Sequence, residues 1–150
     1  MNPIFFPGGD IGSLAIYGTV NDLSVCGARP LYISLSLIIE EGLDRDILGK
    51  ITRSVKMAAK KAGVKVVTGD TKVVEKGSCD KLFINTSGVG EVYYGGLSTK
   101  RIGIGDVVIV SGPIGEHAIS VLSKREGMDF ESKVKSDSRP LNGLISKILA

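Results

Sequence analysis

Between Asp10 and Cys26 the apolar residues Ile11, Leu14, Ala15, Ile16, Val20, Leu23 and Val25 recur at helical spacing, and Gly27 follows as a C-terminal cap. This pattern predicts a largely buried helix. After Pro30, the run from Leu31 to Ile39 alternates and then turns wholly apolar before Glu40-Glu41-Gly42, which reads as a strand. Leu43, Ile47, Leu48, Ile51, Val55, Ala58, Ala59 and Ala62 trace one face of an amphipathic helix that ends at Gly63. Val64 to Thr68 is a short β-branched strand running into a turn at Gly69-Asp70-Thr71-Lys72. Leu82 to Ser87 is a further strand, closed by Gly88 and Gly90. Strands and helices in alternation give an α/β (α+β) fold.

The pattern breaks around Tyr94-Gly95-Gly96-Leu97, where a domain boundary near Ser98 is expected, dividing the chain into 1–97 and 98–150. Beyond it, Asp106 to Val110 reads as a new strand. It meets Ser111-Gly112-Pro113-Ile114-Gly115 and then a helix from Glu116 to Lys124. Gly127 to Arg139 is polar and reads as a loop, and Pro140 opens a helix expected to be still running at Ala150. The second domain is therefore expected to be only begun, and both ends of the chain read as cut.

With 150 residues, 43% of them hydrophobic, the chain can bury a core. Its net charge of +3 comes from 19 basic and 16 acidic residues spread without a basic block, with few aromatics to stack on bases, which argues against nucleic-acid binding. No apolar run approaches the roughly 18 residues of a membrane span, and no signal peptide is indicated. Cys26 and Cys79 lie far apart without metal-ligand spacing, as in a cytoplasmic protein with reduced thiols. The 20 glycines, many between periodic segments, imply tight loops close to a ligand or to another backbone.

Taken at about 100° per residue, Asp22 falls on the helix face of Ile11, Leu14, Ala15, Gly18 and Val25. A carboxylate inside an apolar stripe needs a hydrogen bond, an ion pair or a metal. The plainer alternative is a helix-end Asp pairing with Arg29 or with solvent. Asn21 is a second polar group in the same region. Asp70 follows a strand, where α/β proteins place binding groups, although a turn Asp is common there without function. Lys72 adds a cation suited to a phosphate or simply to solvent. Two carboxylates on separate elements suit Mg²⁺ bridging to nucleotide phosphates. Gly8-Gly9-Asp10 precedes a helix, so Asp10 could cap it while the glycine amides receive an anion. The lone His117 reads as a packing residue, and no nucleophile–histidine constellation can be built around it.

Phe5-Phe6-Pro7-Gly8-Gly9-Asp10-Ile11-Gly12, Thr19-Val20-Asn21-Asp22-Leu23, Gly27-Ala28-Arg29-Pro30, Glu40-Glu41-Gly42, Thr68-Gly69-Asp70-Thr71-Lys72-Val73-Val74 and Phe83-Ile84-Asn85-Thr86 occur in an order and spacing that resembles the HypE family of hydrogenase maturation factors. That family lies within the PurM-like superfamily of aminoimidazole ribonucleotide synthetase. The resemblance runs over essentially the whole chain. It implies a PurM-like N-terminal domain whose mixed sheet pairs across a homodimer into a β-barrel with helices outside, ATP near the interface, and the start of a second α+β domain. It also implies an ATP-dependent carbamoyl dehydratase: a carbamoyl group delivered by HypF to a C-terminal cysteine becomes the thiocyanate that supplies cyanide through a HypC–HypD complex. On matching positions, Asp22 and Asp70 would hold Mg²⁺ and the phosphates, with Asn21, Thr71 and Lys72 as neighbours. Family members carry an upstream strand with a further metal-binding Asp, a glycine-rich N-terminal segment and a cysteine tail that this chain lacks, so the chain alone is not expected to complete the reaction. A kinase or ligase of the thiamine-monophosphate kinase or aminoimidazole ribonucleotide synthetase type, and a non-catalytic dimerisation module, are the alternatives.

Overall fold

The computed structural model describes residues 2–127 and 134–150. A two-residue hairpin, β1 (Phe5–Phe6) and β2 (Gly9–Asp10), leads into helix α1 (Ile11–Val25). Asp10 caps that helix: its Oδ1 accepts from the amides of Gly12 at 2.8 Å and Ser13 at 3.0 Å, while Ser13 Oγ accepts from the Asp10 amide. The reciprocal bonds form a capping box. They also satisfy the first-turn amides that an anion would have used, so the helix start serves the fold. At the other end Gly27 takes a left-handed φ of 77°, as its expected capping role requires.

Strand β3 (Ala28–Glu40) crosses through helix α2 (Arg45–Ala62), capped by Asp44 and by left-handed Gly63, into the parallel strand β4 (Lys65–Val74). Strand β5 (Leu82–Val92) returns antiparallel on the opposite side of β3, giving the mixed order β4-β3-β5. The helices cover one face of this sheet. Ile16, Val20 and Ile33 form one core cluster with Ala58, Ala59, Ala62 and Val64, and Ile4, Ile11, Ile51 and Leu82 form a second. The three central segments are thus a mixed α/β unit of the expected class.

Four boundaries differ from the sequence reading. Gly69-Asp70-Thr71-Lys72 is not a turn but the middle of β4, because pairing with β3 continues from Tyr32↔Lys65 to Glu40↔Val74. Gly88 and Gly90 do not close β5. A side chain at Gly88 would meet Leu23 and Thr19 of α1, and one at Gly90 the Arg29 carbonyl, so these glycines let neighbours approach a continuing strand. Asp106–Val110 is not a strand: it has no regular secondary structure and no ladder partner among the described residues. Its side chains are exposed. The C-terminal helix α4 (Asn142–Ile148) starts after Pro140 and stops short of Ala150, with the Leu149 amide closing on Ile145 O. Helix α3 (Glu116–Glu126) forms where expected and runs slightly further. Of the stretch expected as a loop, 128–133 lies outside the described residues.

Candidate functional site

On α1 the buried line is Gly12, Ile16, Val20 and Ser24, spaced four apart, because this ridge meets α2 and the sheet. Asp22 lies off that line and is exposed. The expected burial of its carboxylate is therefore corrected, and so is the alternative of a pair with Arg29, whose guanidinium bonds Glu91 instead. Asp22 makes no hydrogen bond or ion pair among the described residues.

Asn21 is occupied at both ends of its amide. Nδ2 donates to the Arg139 carbonyl at 3.0 Å, and Oδ1 accepts from the Leu141 amide at 2.7 Å. It pins the segment before α4 onto α1 and borders a cavity of about 290 Å³ whose walls include Gly18, Ser111, His117 and Arg139. Arg139 in turn donates to Ser111 O at 2.5 Å. The polar groups of Asn21 hold backbone, which is a structural task distinct from the nucleotide contact expected of it.

Register sorts the residues around Asp70. Gly69, Leu35 and Thr86 share one row, and Thr71, Leu37 and Ile84 another. These rows face the helices, since Leu35, Leu37 and Ile84 pack into the core and Thr86 Oγ1 bonds Thr19 of α1 at 2.7 Å. The intervening rows therefore face away: Asp70–Ser36–Asn85, and beside it Lys72–Ile38–Phe83. Exposure of Tyr32, Ile38, Phe83 and Val89 confirms that this face carries no helix. Asp70 and Lys72 are thus brought together, Thr71 is placed on the opposite face, and Asp22 stands on the helix side of the sheet. Asp70 Oδ1 accepts from the Thr71 amide at 2.8 Å, which leaves its other oxygen open.

A single carboxylate beside a hydroxyl and an amide oxygen is a hard-donor set that fits a largely hydrated Mg²⁺ bridging to phosphate. No group of three or more His, Cys, Asp or Glu side chains converges among the described residues. Within one chain, Asp22 lies on the helix side of the sheet and Asp70 on the other. Ser36 and Asn85 were missed as neighbours of Asp70. Their signal was the alternation Ser34-Leu35-Ser36-Leu37 and Asn85-Thr86-Ser87, which puts polar groups on one face, but which face joins Asp70 is set by register alone.

The remaining reactive groups are accounted for by packing. His117 Nδ1 lies 2.9 Å from Ser136 Oγ, and its ring meets Phe6 edge-on at 5.2 Å. Partial burial first, and the carboxylates of Glu40 and Asp80 next, raise the Cys79 thiol above its usual value, against a smaller lowering by the N-terminus. Burial first and Asp10 second raise the Tyr17 phenol. No helix among the described residues is long and apolar enough to cross a membrane.

The family AIR synthase related protein, N-terminal domain, matches residues 1–92. The carbamoyl dehydratase HypE of Azotobacter vinelandii is 51% identical over 151 residues, a match that covers 100% of this chain and 44% of that protein. Among solved structures, a HypE–HypF complex is similar with a TM-score of 0.95 at 55% identity, covering 99% of this chain and 49% of the matched one. A HypE in complex with ATP is similar with a TM-score of 0.85 at 49% identity, covering 99% of this chain and 45% of that one. The chain thus spans less than half the length of the curated relative it matches.

Proposed function

This chain belongs to the AIR synthase related protein family, and on that premise we propose that it is the ATP-binding portion of a HypE-like carbamoyl dehydratase in [NiFe]-hydrogenase maturation. The observation that carries this reading is the similarity of 99% of the chain to a HypE solved with ATP. Supporting it, the sheet brings a carboxylate, Asp70, and a cation, Lys72, onto one open face. In this reading the amide oxygen of a carbamoyl group takes the γ-phosphoryl group of ATP as the bond to ADP breaks, and loss of that phosphate with the oxygen, and of the two amide protons, leaves the nitrile of the thiocyanate. Bound Mg²⁺ supplies charge neutralisation on the phosphates. Asp70 would hold the Mg²⁺ and Lys72 would meet phosphate charge, both in place before the reaction, so little reorganisation would be needed as charge develops. Residues 1–97 would form the nucleotide and dimer domain and 98–150 the start of the second. This portion is not expected to complete the dehydration by itself.

The same reading takes a homodimer. β4 is an edge strand exposed along nearly its whole length, with no strand paired to its outer side among the described residues; such edges invite a further strand. Pairing there would close the sheet into a barrel. We assign Asp22 and Asp70 to one site near the seam between two copies, Asp22 from one chain and Asp70 from the other. HypF as carbamoyl donor and a HypC–HypD complex as acceptor are the proposed partners, in the cytoplasm; a HypE–HypF complex has been solved.

Thermal unfolding with and without Mg–ATP tests this, since a ligand that binds only the folded chain raises its stability. The wild type is expected to shift upward, and Asp22→Ala and Asp70→Ala each to lose the shift. Mixing the two variants restores one intact site per mixed dimer if the site is shared. A mixture that stays silent places both carboxylates within one chain, and a wild type that does not respond removes the nucleotide reading for this portion.

A further inference from the structure

We infer that the cavity between α1 and the bend at 111–113 receives the primary amide of the carbamoyl group, with Arg139 donating to its oxygen and Asp137 accepting from its nitrogen. The inference rests on the dehydratase reading and deepens it: it gives the group that is dehydrated a place of its own, apart from the metal and the phosphates.

Two glycines on α1 differ in what requires them. A side chain at Gly12 would meet Ile51 O at 2.9 Å, so that glycine lets α2 approach. At Gly18 nothing lies within 4 Å of where a Cβ would stand. Glycine weakens a helix interior relative to alanine, and no contact within the chain calls for it at position 18. The open space there belongs to the cavity of about 290 Å³. Asp22 stands one helical turn beyond Gly18 on the same side of α1, so the cavity adjoins the carboxylate proposed for the metal.

The chemistry of the walls selects the ligand. Asp137 and Arg139 both line the cavity. Asp137 makes no hydrogen bond or ion pair among the described residues. Arg139 donates through Nη2 to Ser111 O at 2.5 Å, which leaves further donors of its fork unused. A free anion would be repelled by the carboxylate and a cation by the guanidinium, whereas a primary amide answers both, because its oxygen accepts and its nitrogen donates. Leu14 and Leu141 supply apolar wall for the carbon–sulfur stem that carries the amide. The volume lies at the low end of the roughly 300–1,000 Å³ of small-molecule pockets, which suits a small polar head and excludes a whole nucleotide. The segment that carries both charged groups is also held in place. The Ser136 amide donates to Pro7 O at 2.8 Å, Ser136 Oγ meets His117 Nδ1 at 2.9 Å, and Asn21 bonds the backbone on either side of Pro140. A donor and an acceptor fixed before the ligand arrives orient it at little further entropic cost.

The test is an NMR titration of the 150-residue chain with S-ethyl thiocarbamate, against S-ethyl thioacetate, which replaces the amino group by a methyl. Saturable shifts are expected at the amides of Gly18, Gly112 and Ser138, with the thioacetate about tenfold weaker, the scale of one hydrogen bond to a charged group. Asp137→Ala weakens the thiocarbamate about tenfold and leaves the melting temperature unchanged, since Asp137 has no partner within the chain. Arg139→Lys, which loses the fork, weakens it severalfold. Gly18→Leu abolishes binding. Gly18→Ala weakens it while raising the melting temperature by about 2–4 °C, a combination that a glycine kept only for the fold would not give. Equal affinity for the two probes, or wild-type affinity in both Gly18→Leu and Asp137→Ala, overturns the inference; if Mg–ATP still stabilises the chain, the nucleotide reading stands. A wild type that answers neither the thiocarbamate nor Mg–ATP removes both.

Discussion

β4 and the segment Asp106–Val110 are two apolar, β-branched stretches, both exposed, and only one of them is a strand. Lys65–Val74 has β3 alongside over most of its length, so its backbone donors and acceptors are paired even where its side chains are not covered. Asp106–Val110 has the richer strand composition, yet no ladder partner among the described residues, and Val108 is 89% exposed. A strand is a pairing relation before it is a property of residues: hydrogen bonds between neighbours and burial of one face stabilise it, and propensity contributes little alone.

The largest expected difference between the two regions is in side-chain truncation. Ile33 on β3 is 0% exposed and belongs to the main core cluster, so Ile33→Ala should cost roughly 2–5 kcal/mol, whereas Val108→Ala should stay within about 0.5 kcal/mol. Urea denaturation of both variants measures the contrast. A cost above 1 kcal/mol at Val108 would show that the segment is packed in solution and break the comparison.

A smaller effect follows from the close strand approach. Gly69→Ala forces a methyl toward Leu35 O, and about 1–3 kcal/mol is expected as β4 shifts away. The loss should be local: amide exchange would speed up from Gly69 to Val74 on the far side of the contact and leave α2 protected. Uniformly faster exchange through α2 would instead mean that β4 and the helix unfold as one unit.

The smallest effect concerns pH. Tyr17 sits between the helix layer and the cavity, and its phenol is raised above 10.0 by burial and by Asp10. A folded-state value above the unfolded one gives stability that is fully present below pH 10.0 and is lost as pH rises through the raised value. Tyr17→Phe should flatten that loss in alkaline melting curves while leaving neutral stability nearly unchanged. An equal alkaline decline in the variant would assign the effect to other groups.

Helix α2 was legible almost to the residue, because amphipathic spacing and the Gly63 stop both act locally. The Asp10 cap of α1 was legible for the same reason, since its partners lie two and three residues away. The order of strands and helices followed from the period of the apolar positions. The phase of α1 was not, because a helix with apolar residues on most sides has no single face until α2 and the sheet choose the Gly12–Ile16–Val20–Ser24 ridge. The faces of β4 were not either. Asp70 and Lys72 share a face by strand alternation alone, but whether Asp70 shares a surface with Asn85 or with Asp22 depends on register with β3 and β5, partners more than 30 residues from one end of the contact or the other. Local chemistry therefore marked which residues are candidates for a metal and a phosphate. Only the long-range pairing decided which of them stand together.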